Sequence, residues 1–353
     1  METGFYISTT QVTEGIRISV DDINRFLQMV GHEKREQTFV KEYIEQYLND
    51  ITSGKRVSSK GTQLRSGTII CLKQSLNKFL EYQKARNLNL AFTDIGLSTY
   101  RDYSAFLMSQ NYSINTIGKH IKKLRQLLAT AQEEGHNVNQ AYKQKTFKVH
   151  SVATDAIYLT KEDLQAINNL NLKNFPAHYT LARDIFMIGV FTAQRVSDYN
   201  NLLPDNFVLS PHGDILALRI TQRKTGKKVV IPCNSSLQRI FSRYSFSALP
   251  HLYEQKINNL MKEIGRLAGL CDPVEICTTK GGVAVHQCIP KWKLIHTHTA
   301  RRTGATLMYL SGMDAYDICK ITGHSSIQTL ERYIKAGELE TLKKLSTEYE
   351  FFR

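Results

Sequence analysis

The chain has 353 residues, enough for two or three domains with a sizeable core, and its 42% hydrophobic content is ordinary for a globular protein. Lys and Arg number 46 against 32 Asp and Glu, a formal charge of +14 that favours a polyanionic partner, usually DNA or RNA. Cys71, Cys233, Cys271, Cys277, Cys288 and Cys319 include no Cys-x-x-Cys pair, which argues against a zinc ribbon and for free, mostly buried thiols in a reducing cytoplasm.

No leader with a charged start and an apolar run opens the chain, and no stretch reaches the roughly 18 apolar residues of a membrane span. Residues 1–35 read as an N-terminal extension carrying one short amphipathic helix. A helical domain follows over 36–140. Thr38 is placed to cap a helix whose apolar face holds Phe39, Tyr43 and Tyr47. A basic loop rich in Gly and Ser, Ser53 to Gly61, then breaks the pattern with Lys55, Arg56 and Lys60. Leu72, Leu76, Phe79 and Leu80 mark a second helix, and Thr99 to Met108 a third. The fourth is the clearest: Ile117, Ile121, Leu124, Leu128 and Ala131 recur at helical spacing, with Lys119, Lys122, Lys123 and Arg125 on the other face. Taken alone, such a face is a solvated charged surface. Beside the basic loop it suits a clamp on duplex DNA.

Polar, aperiodic chain from about Gly135 reads as a linker over 141–156. It ends at Leu159-Thr160-Lys161-Glu162-Asp163-Leu164, where Thr160 and Asp163 suit a capping box and the leucines a hydrophobic staple. A second domain therefore spans 157–353. Ala182 to Phe191 is an apolar helix leading into Arg195, Ile215–Ile220 and Lys228–Ile231 are short strands, and Thr225-Gly226 is a tight turn between them. Helices are expected to dominate from there to the C-terminus, with breaks at Ser311-Gly312 and Thr322-Gly323. The fold class is mainly α with a small antiparallel β-sheet (α+β).

Five stretches carry chemistry: Thr192-Ala193-Gln194-Arg195-Val196-Ser197-Asp198, Lys224-Thr225-Gly226-Lys227, His298-Thr299-Ala300-Arg301-Arg302-Thr303, Thr322-Gly323-His324, and Tyr333. Displacement at a phosphodiester needs a nucleophile, neutralisation of the transition state and a proton for the leaving oxygen. Arginine suits the second task, because its planar fork bonds two phosphate oxygens and keeps its charge. His298 and Arg301, three apart, share one helix face, whereas His296 is five from Arg301 and faces away. Asp198 is placed to buttress an arginine. A phenol with pKa about 10 needs cationic surroundings to attack near neutral pH.

In this order and spacing the motifs resemble the tyrosine recombinase (integrase) family over about residues 38–340, most strongly in the second domain. The resemblance implies a helical core-type DNA-binding domain followed by a mixed catalytic domain. Its catalytic set would be Arg195, Lys224, His298, Arg301, His324 and Tyr333, with Lys227 the alternative to Lys224 as general acid. It further implies a covalent 3′-phosphotyrosine intermediate, no metal and no nucleotide cofactor, and four protomers on two double-stranded DNA sites, with an accessory DNA-bending protein as a further partner. Lys55, Arg56, Lys60, Lys119, Lys122 and Lys123 are the candidate DNA contacts, and the nucleoid in the cytoplasm the expected location. Ala193-Gln194 departs from the more frequent glycine-leucine before the first arginine, and Ala300 and Arg302 stand where leucine and histidine are common. These departures resemble integrases of Bacteroides-group mobile elements. A type IB topoisomerase, or a silent DNA-binding protein, remains the rival. Past Tyr333, Leu339, Leu342 and Leu345 form a narrow apolar stripe, with Phe351-Phe352 at the end. That stripe packs in cis or, as the resemblance implies, docks on a neighbouring protomer.

Overall fold

The computed structural model describes Asp21 and residues 39–58, 61–137, 139–244 and 251–348, with Glu348 in its backbone alone. Apart from Asp21, the expected extension over 1–35 lies outside these residues, as do Thr38, Lys60, Phe351 and Phe352. The chain divides into two compact units, Met1–Val152 with Thr279–Val283, and Ala153–Thr278 with Ala284–Arg353.

Among the described residues the long helices of the first unit are α1 (Val40–Thr52), α2 (Ser66–Ala85), α3 (Leu97–Ser109) and α4 (Ile114–Glu133). Phe39 is the N-cap residue of α1 rather than part of its face, and its backbone bridges to Ala91. Tyr43, Tyr47, Leu72, Leu76 and Phe79 are buried as their spacing demands. On α4, Ser113 caps the first turn through Thr116 N, and Ile117, Ile121, Leu124, Leu128 and Ala131 all face the core. The interior is ring-rich, with Phe79 and Tyr103 edge to face at 4.9 Å.

The expected linker is a correction. Tyr142 and Phe147 are buried in the first unit's core, Arg125 donates to Phe147 O, Tyr100 Oη donates to Lys148 O, and Asn115 exchanges two bonds with the Val152 backbone. Two aromatics in an otherwise polar, aperiodic stretch anchor it, a pattern that periodicity does not register.

The second unit begins at Ala153, ahead of the expected cap. Thr160 and Asp163 form a reciprocal capping box on α5 (Lys161–Asn169), and Leu159 and Leu164 are buried. The central helix α6 (Ala177–Thr192) packs mainly on α10 (Thr297–Leu310) and on α9 (Glu254–Leu267). A short α7 (Val196–Tyr199) precedes a three-stranded antiparallel sheet in the order β1-β2-β3, made of Phe207–Leu209, Ile215–Thr221 and Lys228–Pro232. Beyond it lie α8 (Ser235–Phe241) and α9, then α10, α11 (Ala315–Thr322), α12 (Ile327–Glu331) and α13 (Glu338–Glu348).

Several sequence expectations need revision here. The β2–β3 connection is not a two-residue turn: strand pairing stops at Thr221 and Lys228, and Gln222 N bonds Lys227 O across a wider loop. A second hairpin, β4 (Pro273–Lys280) with β5 (Val283–Pro290), stands where helices were expected to dominate. Its signal was Gly281-Gly282, both at positive φ, the backbone of a two-residue hairpin turn. Of the six free cysteines only Cys319 is buried, and Cys271 and Cys288 are exposed. On α13, Tyr158 Oη donates to Glu340 and the Lys344 ammonium sits 4.4 Å from the Tyr309 ring centre, while Leu339 and Leu342 remain 81% and 60% exposed. No helix among the described residues is long and apolar enough to cross a membrane.

Candidate active site

Arg195 emerges where α6 ends. Ala193 closes that helix at φ 50°, in the left-handed region that glycine favours, and turns the chain so that Arg195 becomes the N-cap residue of α7. The Ala193 carbonyl accepts a 2.8 Å hydrogen bond from Arg301 Nη1, so this strained turn serves as a ligand for the second arginine. Arg195 is half-buried and its Nη1 reaches Gln222 Oε1 at 3.3 Å.

Arg301, on α10, is fully buried. Its Nη2 donates to Thr322 O at 3.0 Å and to His324 Nε2 at 2.9 Å, and its guanidinium carbon lies 5.3 Å from the Tyr333 ring centre. Burial, then the nearby Arg195, pulls its pKa down to about 10, against the opposing pull of Tyr333 and Asp198. It stays charged near neutrality. Its Nε has no partner.

The same contacts fix the tautomer of His324. An arginine is donor only, so Nε2 must accept; Nδ1 then carries the proton and donates to Thr322 Oγ1 at 2.7 Å, whose hydroxyl donates to Ile318 O. Burial, with Arg301, Arg195 and Lys227 around it, drives the His324 pKa down to about 3 and keeps it neutral. The imidazole lies 4.7 Å from the Tyr333 ring, centre to centre. Tyr333 sits in the turn after α12, held by its own N–H to Leu330 O and by Thr306 Oγ1 donating to its carbonyl.

His298 lies in the first turn of α10, open to solvent on one side; the protein around the rest, then Arg302, lowers its pKa below the ordinary imidazole value. His296 is no bystander. It is the N-cap residue of α10, its Nδ1 accepting from His298 N at 3.1 Å and its Nε2 within 3.4 Å of Arg302 Nη1.

Asp198 does not grip an arginine. It is buried on α7 and its Oδ1 accepts from Arg223 N at 2.9 Å, which ties down the start of the β2–β3 loop. In that loop Lys224 is exposed, whereas Lys227 Nζ donates to His324 O at 3.2 Å. Sequence reasoning missed Gln194 and Gln222, both fully buried and bonded to each other at 2.7 Å. Polar residues flanking the motifs were the available signal.

In the first unit Lys55, Lys119 and Lys122 are exposed, and Lys123 is half-buried and bonded to Gln126. Arg56 is not a free cation: it forks onto Glu134 through Nη1 and Nη2 and stacks 4.5 Å over the Tyr47 ring. A phosphate at Arg56 would have to displace Glu134.

The phage integrase SAM-like domain matches residues 39–149, and the phage integrase family matches residues 158–339. No curated protein matches by sequence. Similar solved structures include a lambda integrase dimer bound to a COC′ core site (15% identity, TM-score 0.60, covering 89% of this chain and 85% of that one). A Tn1549 transposon integrase in complex with transposon right end DNA is alike to the same degree (15%, TM-score 0.60, covering 88% and 99%). The XerH site-specific recombinase bound to palindromic difH substrate, as a post-cleavage complex, follows at 16% and 0.59, covering 92% and 94%. With the family pattern matched over more than half its length, the chain belongs to the phage integrase family and is a tyrosine site-specific recombinase.

Proposed function

We propose that this recombinase cuts one DNA strand by attack of Tyr333 Oη on phosphorus. The new Tyr–O–P bond forms as P–O5′ breaks. Arg195 and Arg301 bind the non-bridging oxygens, and an ammonium of the β2–β3 loop protonates the departing O5′. Lys224 is our assignment for that proton and Lys227, now on His324 O, the alternative. Both nitrogens of His324 are already engaged, which leaves neutral His298 to take the phenolic proton. Reversal by a 5′ hydroxyl from the other duplex rejoins the strand. The observation that carries this reading is the stack of Arg301, His324 and Tyr333 around one buried guanidinium.

Trapping on a nicked suicide duplex tests it. Tyr333→Phe should abolish the covalent adduct and leave DNA affinity nearly intact, whereas an adduct that persists in the variant would move the nucleophile elsewhere. Relaxation of supercoils without exchange between two sites would favour a topoisomerase instead.

The working assembly is a tetramer on paired sites of a mobile element, acting on DNA in the cytoplasm. The exposed Leu339 and Leu342 support docking of α13 on a neighbouring protomer. Truncation after Ala336 should spare binding to a half-site and reduce cooperative filling of full sites. Unchanged cooperativity in a gel-shift titration would mean that the tail acts in cis.

A further inference from the structure

The β2–β3 loop presents a mechanical problem. Arg223, Lys224, Lys227 and Lys228 are all exposed, and their like charges repel one another. Among residues 222–227 the one buried side chain is Gln222.

Its carboxamide is fully used. Oε1 accepts from Thr225 Oγ1 at 2.7 Å, within the loop, and from Arg195 Nη1 at 3.3 Å. Nε2 donates to Gln194 Oε1 at 2.7 Å and to Thr322 O at 2.8 Å. The orientation follows from chemistry, since a guanidinium only donates and a carbonyl only accepts; a flipped amide would face like against like. Gln194 has no freedom to compensate, because its Nε2 is committed to Thr192 O and Ile321 O. Gly323 leaves the necessary room, as a Cβ there would lie 2.3 Å from Gln222 Nε2. One buried amide therefore meets the lysine loop, the Arg195 turn and the corner that carries His324.

We infer that Gln222 is a positioning residue, which holds the lysine loop in register with the two arginine elements and so sets where its ammonium delivers the proton. This rests on the reading that a loop lysine is the general acid. A purely structural bolt would instead affect every substrate alike.

The test compares single-turnover cleavage by the full chain of an ordinary suicide duplex and of one with a 5′-bridging phosphorothiolate, whose sulfur leaves without needing a proton. Gln222→Met keeps the volume and removes all four bonds. We expect it to slow cleavage of the oxygen substrate by about tenfold or more, and to fall within about threefold of the parent on the sulfur substrate. Half-site affinity and melting temperature are measured alongside. Thr225→Val, at an exposed position, should show the same rescue with a smaller defect, and it decides the matter should Gln222→Met fail to fold.

Lys224→Ala and Lys227→Ala run in parallel to separate the two claims. If a lysine variant is rescued by sulfur while Gln222→Met or Thr225→Val is equally slow on both substrates, the positioning role is overturned and the lysine reading stands. Should neither lysine variant be rescued, the proton-delivery reading itself falls and takes the premise with it. Parent-like rates for the Gln222 variant on oxygen would likewise overturn the proposal.

Discussion

The two units bury different things. In the first, rings and aliphatics fill the interior, and buried Gln83 and Asn137 each bond to nearby backbone. In the second, a mainly aliphatic core surrounds α6, but beside it lie buried Arg301, His324, Gln194, Gln222 and Asp198. Burying such groups opposes folding unless each finds a partner. Here each residue does: carbonyls of Ala193, Ile321 and Thr322 accept from Arg301, Gln194 and Gln222, the Arg223 N–H donates to Asp198, and Gln194, Gln222, Arg301 and His324 also bond one another's side chains. The contrast teaches what the chemistry requires. A phosphate-binding arginine acts most strongly where the dielectric is low, so the catalytic unit must enclose charge that the helical unit leaves on its surface.

Arg301→Lys should produce the largest separation between the units. Lysine cannot reach Ala193 O, Thr322 O and His324 together, and cleavage should fall by roughly 3 kcal/mol of transition-state stabilisation, more than a hundredfold. Lys122→Ala, on the exposed face of α4, should leave the cleavage rate of saturated complex unchanged and lower the salt slope of binding by about one. Equal effects on rate from both variants would erase the division of labour.

Packing gives the next test, and there the units should behave alike. A Cβ at Gly304 would lie 2.1 Å from Val190 O, and one at Gly118 2.0 Å from His150 O. Alanine at either should destabilise by about 1–3 kcal/mol through forced backbone shifts, read as a drop in melting temperature. A silent Gly118→Ala would mean that the chain near His150 is not packed on α4.

Acid should sharpen the contrast. His296, at about 4, His324, at about 3, and His298 all lie below the ordinary imidazole value in the second unit, against His120, at about 4, in the first. With the folded values depressed, the unfolded chain binds more protons as pH falls below 6.5, so stability is full above that value and is lost toward pH 4. Hydrogen exchange of the full chain should therefore loosen the second unit more than the first. Uniform loosening would count against the enclosed imidazoles.

The smallest effect belongs to the first unit's core. Tyr103 Oη is buried without a partner, whereas Tyr82 Oη donates to Asp102 at 3.0 Å. Tyr103→Phe should be neutral or stabilising by up to about 1 kcal/mol, and Tyr82→Phe destabilising by about 1 kcal/mol, in chemical denaturation.

By itself the sequence determined the helices whose apolar residues recur every three or four positions, the Thr160 cap, the breaks at Gly312 and Gly323, and the order of the motif residues. These are local properties, set by side-chain period and backbone preference within a few residues. It did not reveal that Tyr142 and Phe147 anchor a polar stretch, that Arg56 is held by Glu134, that Asp198 serves the lysine loop, or that Gln194 and Gln222 join Arg195 to Thr322. Those contacts span from 10 to 100 positions along the chain. In the first unit the closing of its helices on one core brings such groups together, and in the second the packing of α6 against α10 with the return of the chain through α11; burial then decides which of them must pair and which proton each carries.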